Sequence, residues 1–167
     1  MAKRWSVRSA NETLQDSFVS ELNILPLTAQ LLINRGFVDL DKASSFLRPD
    51  INTLHDPMLL KDMDKAVERL ALALKDGEKV AVCGDYDVDG TTATALLKLF
   101  LSEIGFTVFT HIPERITEGY GLNNAALEEL AKKGVKIVIT TDCGVSNYAE
   151  TEFANSLGLD VIITDHH

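Results

Sequence analysis

The sequence predicts an α/β fold, a parallel β-sheet with flanking helices, preceded by a helical N-terminal extension. Three observations carry this. After Asp76-Gly77, four short apolar runs alternate with three runs at helical spacing, the pattern of βαβ units. Before that point, capping and glycine-stop signals bracket amphipathic runs. Acidic or histidine-bearing motifs follow the apolar runs, where an open α/β sheet places its ligands. The expected division is residues 1–75 as extension and 76–167 as sheet domain.

In the extension, Leu25-Pro26-Leu27-Thr28 opens a helix with apolar residues at Leu27, Leu31 and Leu32, and Arg35-Gly36 closes it. Asp39 is placed to cap the next helix, which carries Ala43, Phe46 and Leu47 and stops near Pro49. After Asp56-Pro57, Met63, Val67, Leu70, Ala71 and Leu74 define a longer amphipathic helix. In the sheet domain, Lys79 to Cys83 is the first strand, and Thr91 to Ile104 a helix with Ala95, Leu96, Leu99 and Phe100 on one face. Gly105 ends that helix, and Phe106 to Phe109 is the second strand. A helix from Asn123 or Asn124 to Lys133 stops at Gly134. Val135 to Thr140 is the third strand, Tyr148 to Leu157 a helix, and Asp160 to Thr164 the fourth strand. Right-handed crossovers put all strand C-terminal ends on one side.

Composition narrows the function classes. A chain of 167 residues, 46% hydrophobic, is long enough for one real core and reads as globular. No apolar run approaches the roughly 20 residues of a membrane helix. The charged start Met1-Ala2-Lys3-Arg4-Trp5-Ser6 lacks the apolar stretch of a signal peptide. Two cysteines, Cys83 and Cys143, fit a reducing cytoplasm better than a disulfide. A net charge of −9 argues against a free-standing basic nucleic-acid module, though clustered metal-binding carboxylates inflate that number.

The chemistry-bearing residues fall at one predicted edge. Asp85, Asp87 and Asp89 follow strand one; Arg115, Glu118 and Gly119-Tyr120-Gly121 follow strand two; Asp142-Cys143-Gly144 follows strand three; Asp165-His166-His167 follows strand four. Three carboxylates in five residues repel one another and are sensibly massed where a cation binds. An EF-hand loop is excluded, because its twelfth position is Leu96 rather than a bidentate Glu and a strand precedes it. A strand followed by Asp87-Val88-Asp89-Gly90-Thr91 also resembles the first motif of haloacid-dehalogenase-like phosphatases, but Asp85 and Tyr86 separate Asp87 from the strand. A site for two divalent cations accounts together for the motifs at Asp85 to Asp89, Asp142 and Asp165-His166-His167, with carboxylates suiting Mg²⁺ and Mn²⁺ and imidazole favouring Mn²⁺. Cys83 reads first as a buried core residue and second as a soft ligand. Alternation of neighbouring side chains suggests that only one of His166 and His167 is a direct ligand. Arg115 is read either as a phosphate clamp or as an ion-pair partner of Glu114 or Glu118. Tyr120 is read as a base-stacking residue or a packed loop aromatic.

The ordered set GDYDVDG, RxxEGYGLN, TDCG and TDHH resembles the DHH phosphoesterase superfamily. Within it, RGFVDLDKASSFLRP and HDPMLLKDMDKAVERL resemble the segment ahead of the catalytic domain in the single-stranded-DNA exonucleases. The resemblance implies a 5′→3′ exonuclease on single-stranded DNA that releases mononucleotides in repair and recombination. It also implies two Mn²⁺ or Mg²⁺ ions, a cytoplasmic location, and single-strand-binding protein and a helicase as partners. Carried over, it makes Asp87, Asp89, Asp142 and His166 the metal ligands, with Asp142 bridging. His167 and Asp85 become catalytic, His167 either at the scissile phosphate or helping to hold metal and Asp85 behind the ligands; Arg115 and Tyr120, read from the residues, are the substrate-binding candidates. Some relatives have His where this chain has Cys83. The family continues past its Asp-His-His motif, so the chain is expected to be an N-terminal fragment with little activity alone. Narrower alternatives are a DHH phosphodiesterase on oligonucleotides or cyclic dinucleotides, or the phosphatase above.

Overall fold

The computed structural model describes residues 11–167. The charged start, unlike a signal peptide in sequence, lies outside the described residues. The chain divides into two compact units, the first ending at Leu59 and the second running Leu60–His167. Among the described residues no helix is long and apolar enough to cross a membrane.

The first unit is built of α1 (Glu12–Leu22), α2 (Pro26–Asn34) and α3 (Leu40–Leu47). Each start is legible. Asn11 accepts from the Leu14 N–H, Pro26 occupies the first turn of α2, and Asp39 accepts from the Lys42 N–H as its sequence position predicts. Phe18, Ala29, Leu32 and Ala43 form the buried core of this unit. Short 3₁₀ turns at Ile51–Thr53 and Pro57–Leu59 follow.

The second unit opens with α4 (Met63–Asp76), which the sequence pattern alone places in the extension. The division falls after Leu59 rather than at the expected 75, because α4 docks on the sheet. Ala73 and Leu70 pack with Val80 and Val82, and Arg69 bonds to Glu78 and Asp160.

The sheet comprises β1 (Lys79–Gly84), β2 (Val108–His111), β3 (Val135–Thr141) and β4 (Asp160–Thr164), in the order β2-β1-β3-β4 and parallel throughout. Alternate residues of β1 serve opposite faces. Val80 and Val82 meet α4 and α5 (Val88–Glu103), while Ala81 and Cys83 meet α6 (Asn124–Lys132) and α7 (Tyr148–Ser156). Strand order reverses at β1: its two neighbours are the next strand in the chain and the one after that. The crevice between the C-terminal ends of β1 and β3 is therefore the switch point at which open α/β sheets bind ligands.

Helix α1 (Glu12–Leu22) has no counterpart in the sequence reading, and two elements of the sheet domain differ from expectation. Helix α5 starts at Val88 rather than Thr91, because the Asp87 carboxylate accepts from the Gly90 N–H and caps it. Its anticipated apolar face is the outer one: Leu96, Leu99 and Phe100 are exposed, while Thr94 and Leu101 are buried. The helix is apolar on most sides, so periodicity alone does not pick the packed face. Strand β2 starts at Val108, not Phe106. Phe106 closes a Schellman motif instead, its N–H donating to Leu101 O at 2.9 Å and Gly105 N–H to Ser102 O at 3.1 Å, with Gly105 at φ +108°. The two apolar residues of that motif, Leu101 and Phe106, pack in the same core.

Candidate metal centre

The β1–α5 turn is shaped by close backbone approach. A Cβ on Gly90 would lie 2.5 Å from both N and O of Asp85, so only glycine lets the helix start press on the strand end. That pressure buries Asp85 to 5% exposure and leaves its Oδ1 with no protein partner. A buried carboxylate oxygen without a donor is costly, and its site is one a cation would satisfy. Asp87 and Asp89, at the N-cap and first turn of α5, stand out in solvent beside it. The Gly90 N–H holds the Asp87 carboxyl below the ordinary Asp value.

Asp142 follows β3 with φ +61°, a left-handed backbone rare for a residue with a side chain. Its N–H donates to Thr164 O at 3.0 Å, and the residue is 8% exposed. Buried Thr94, Thr140 and Thr141 underlie the turn, with the Thr94 and Thr141 hydroxyls 3.1 Å apart and the exposed Thr164 donating its hydroxyl to Thr140 O at 2.6 Å.

Asp165 organises the end of β4. One oxygen accepts from His166 N–H (2.7 Å), His167 N–H (3.2 Å) and His167 Nδ1 (2.7 Å); the other accepts from Val145 N–H (2.9 Å). Burial acts to raise its carboxyl, but these donors, led by the Val145 N–H, overcome it and hold the group at about 2. The same carboxylate holds His167 above the ordinary His value. Because one acceptor gathers both backbone N–H groups, the chain leaves strand geometry and the two imidazoles stack, centroids 4.4 Å apart. The expected alternation of the two histidines fails for that reason. Sequence reasoning sees Asp165 only as part of its motif; the signal for its organising role is an Asx residue directly before two candidate ligands.

These loops meet at the switch point. Asp142, His166 and His167 present ligand atoms all within 4.8 Å of one another, and so do Asp85, Asp87 and Asp142. Asp142 is common to both groups. His166 Nε2 lies 2.9 Å from Asp142 Oδ1 and 3.6 Å from Asp89 Oδ2. Every residue expected to hold metal is thus gathered at one edge. The all-oxygen-and-imidazole donor set suits Mn²⁺ or Mg²⁺, and the orphaned Asp85 oxygen agrees. Cys83 is 2% exposed in the core, its thiol pushed up to about 12 by burial, and it lies outside both groups.

The loop after β2 forms the rim. Glu118 accepts from Glu114 N–H and from the Asn123 amide, and lies 3.0 Å from His111 Nε2. It is therefore the organiser of its own loop and not the partner of Arg115. The Arg115 guanidinium instead lies 5.0 Å from the Tyr86 ring centroid and has no carboxylate partner among the described residues. Tyr86 is a rim residue that the motif pattern does not single out. Tyr120 turns inward, its hydroxyl 3.0 Å from Asp142 O and 3.3 Å from His167 Nδ1.

Comparison with known proteins agrees with this geometry. Residues 79–167 match the family described as "DHH family, N-terminal domain". The chain is 38% identical over 164 residues to the single-stranded-DNA-specific exonuclease RecJ of Bacillus subtilis (strain 168), covering 98% of this chain and 21% of that protein. Against RecJ of Escherichia coli (strain K12), identity is 34%, over 85% of this chain and 24% of that one. The chain thus spans under a quarter of the length of these two relatives. Among solved structures, RecJ of Thermus thermophilus in complex with Mn²⁺ superposes with a TM-score of 0.68 at 30% identity, covering 95% of this chain and 22% of that one. A crystal structure of exonuclease RecJ bound to manganese gives a TM-score of 0.60 at 40% identity, covering 65% of this chain and 28% of the other.

Proposed function

The chain belongs to the DHH family, and on that premise we propose that it forms the metal-binding part of a nuclease that hydrolyses single-stranded DNA from the 5′ end to mononucleotides. The observation that supports this most is the meeting of Asp85, Asp87 and Asp142, with His166 beside both Asp142 and Asp89, at a turn where one buried Asp85 oxygen has no protein partner. RecJ relatives named as single-stranded-DNA exonucleases, and structures titled with Mn²⁺, support the substrate and the metal.

Asp87, Asp89, Asp142 and His166 would hold two divalent ions, and Asp142 is the residue common to the two groups of ligand atoms. Bound there, Mn²⁺ or Mg²⁺ supplies Lewis-acid activation of water and of the phosphodiester. Asp85 backs the ligand carboxylates, its free oxygen raising the negative potential of the crevice. Asp165 holds the His167 ring and the backbone N–H of His166, so that the His166 ring meets Asp142 and His167 is presented to the scissile phosphate. Arg115, backed by Tyr86 rather than by a carboxylate, takes a phosphate of the strand. With buried, unpaired cysteines, the protein works in the cytoplasm beside single-strand-binding protein and a helicase in repair and recombination.

The test uses the full-length protein with labelled long single strands, duplex and dinucleotides. Mn²⁺-dependent release of mononucleotides from 5′ ends, absent in Asp142→Ala and on duplex, is expected. Preference for dinucleotides or cyclic dinucleotides would move the assignment to the smaller phosphodiesterases of the family. No hydrolysis of any of these with either metal would overturn the reading.

A further inference from the structure

Tyr120 sits where two of the site loops meet a third. Its backbone is held from the side of α7: Asn147 Oδ1 accepts from the Leu122 N–H at 3.2 Å, and a Cβ on Gly121 would lie 2.4 Å from that same oxygen. Leu122, two residues on, is 6% exposed and packs in the core. With the chain pinned on that side, the phenol is directed at the end of β3 and at His167. Its hydroxyl lies 3.0 Å from the Asp142 carbonyl and 3.3 Å from His167 Nδ1, and the two rings meet edge-to-face at 88° with centroids 6.1 Å apart.

One assignment of protons satisfies every contact. A phenol has one proton and can accept as well. The Asp142 carbonyl can only accept, so the Tyr120 O–H donates to it. His167 Nδ1 has an acceptor in Asp165 at 2.7 Å, so Nδ1 carries the proton, donating chiefly to Asp165 and secondarily to the Tyr120 oxygen. His167 Nε2 is then the ring nitrogen with no protein partner among the described residues.

We propose that Tyr120 is a positioning residue of the metal centre, its hydroxyl linking the strained Asp142 turn to the His167 ring and setting how His167 Nε2 is presented. Of the two sequence readings of Tyr120, this follows the packed loop aromatic rather than the base-stacking residue, and it rests on the metal-centre reading above. The link acts on both ligand groups at once. It braces the backbone of a residue held at φ +61°, and it adds a restraint to an imidazole otherwise steered by Asp165 and by stacking on His166. Partners behind metal-site ligands are worth about 10–100-fold in affinity when removed.

Tyr120→Phe removes the hydroxyl and keeps the ring; Tyr120→Leu removes both. Mn²⁺ affinity by titration calorimetry and the His167 ring nitrogen shifts by long-range proton–nitrogen NMR on the metal-free chain are the readouts. Positioning predicts that Tyr120→Phe alone weakens Mn²⁺ by about 10-fold and moves the His167 shifts, with thermal stability near that of the parent. A stacking platform predicts the reverse: Tyr120→Phe matches the parent in both readouts, and only Tyr120→Leu loses affinity for single-stranded DNA. That second pattern would overturn the proposal. Should the parent chain bind no Mn²⁺ at all, the metal-centre reading falls. The metal-free NMR comparison still decides whether Tyr120 orients His167.

Discussion

The two ends of the sheet use the same acidic side chains in opposite ways. At the N-terminal edge, Arg69 reaches both Glu78 (2.7 Å) and Asp160 (2.6 Å), and Lys79 caps the carbonyl of Lys133 at 2.9 Å. Both of those carboxylates have a cationic partner. At the C-terminal edge, Asp85, Asp87 and Asp142 cluster, Asp89 and Asp165 adjoin them through the two imidazoles, and no Lys or Arg pairs with any of the five among the described residues. Paired carboxylates lock a helix to a sheet. Massed carboxylates oppose folding unless something positive joins them. The contrast marks the second edge as built for a ligand.

Breaking the ligand edge gives the largest effect. Asp142→Ala is expected to abolish saturable Mn²⁺ binding in calorimetry, because it removes the carboxylate common to both ligand groups, whereas Arg69→Met leaves binding intact. Retained affinity in Asp142→Ala would erase the distinction between the edges. Next, Mn²⁺ at a hundredfold over its Kd should stabilise the parent chain by about 2.7 kcal/mol, read as a shift in the urea midpoint, and should leave Asp142→Ala unmoved. Gly90→Ala should cost roughly 1–3 kcal/mol with or without metal, since its Cβ would meet the Asp85 backbone at 2.5 Å; an unchanged midpoint would show that the helix start does not press on β1. Arg69→Met should cost about 1 kcal/mol by the same assay, leaving Glu78 and Asp160 without their guanidinium. The smallest effect has the opposite sign. Metal-free Asp142→Asn should gain about 0.5–1 kcal/mol, because it relieves repulsion among the carboxylates while asparagine tolerates the left-handed backbone. A loss of stability there would mean that the Asp142 charge supports the metal-free fold.

Much of this is legible in the sequence, for physical reasons. Strands β1, β3 and β4 are short apolar runs closed by glycine or acidic turns, and parallel crossovers then fix which edge the motifs share. That brings Asp87, Asp89, Asp142 and His166 together without coordinates. What escapes is whatever depends on which of several apolar faces wins. Helix α5 offers Leu96, Leu99 and Phe100 to solvent because Gly84, Gly90 and Thr94 form the tighter seam, and seams of small residues leave little trace in a hydrophobic pattern. Phe106 looks like a strand residue because a Schellman closure also needs an apolar one. The Arg115 partner is ambiguous in sequence because the competition for Glu118 is settled by Asn123 and the Glu114 N–H, groups that charge counting ignores. The stacked histidines likewise follow from one carboxylate, Asp165, gathering both N–H groups.

The most direct measurement is anomalous scattering at the manganese edge from crystals of this chain soaked in Mn²⁺. The account predicts density at the crevice between β1 and β3, within about 2.0–2.4 Å of oxygens of Asp87, Asp89 and Asp142 and of His166 Nε2. Ordered side chains at that crevice with no anomalous peak, or a peak bound elsewhere on the chain, would contradict it.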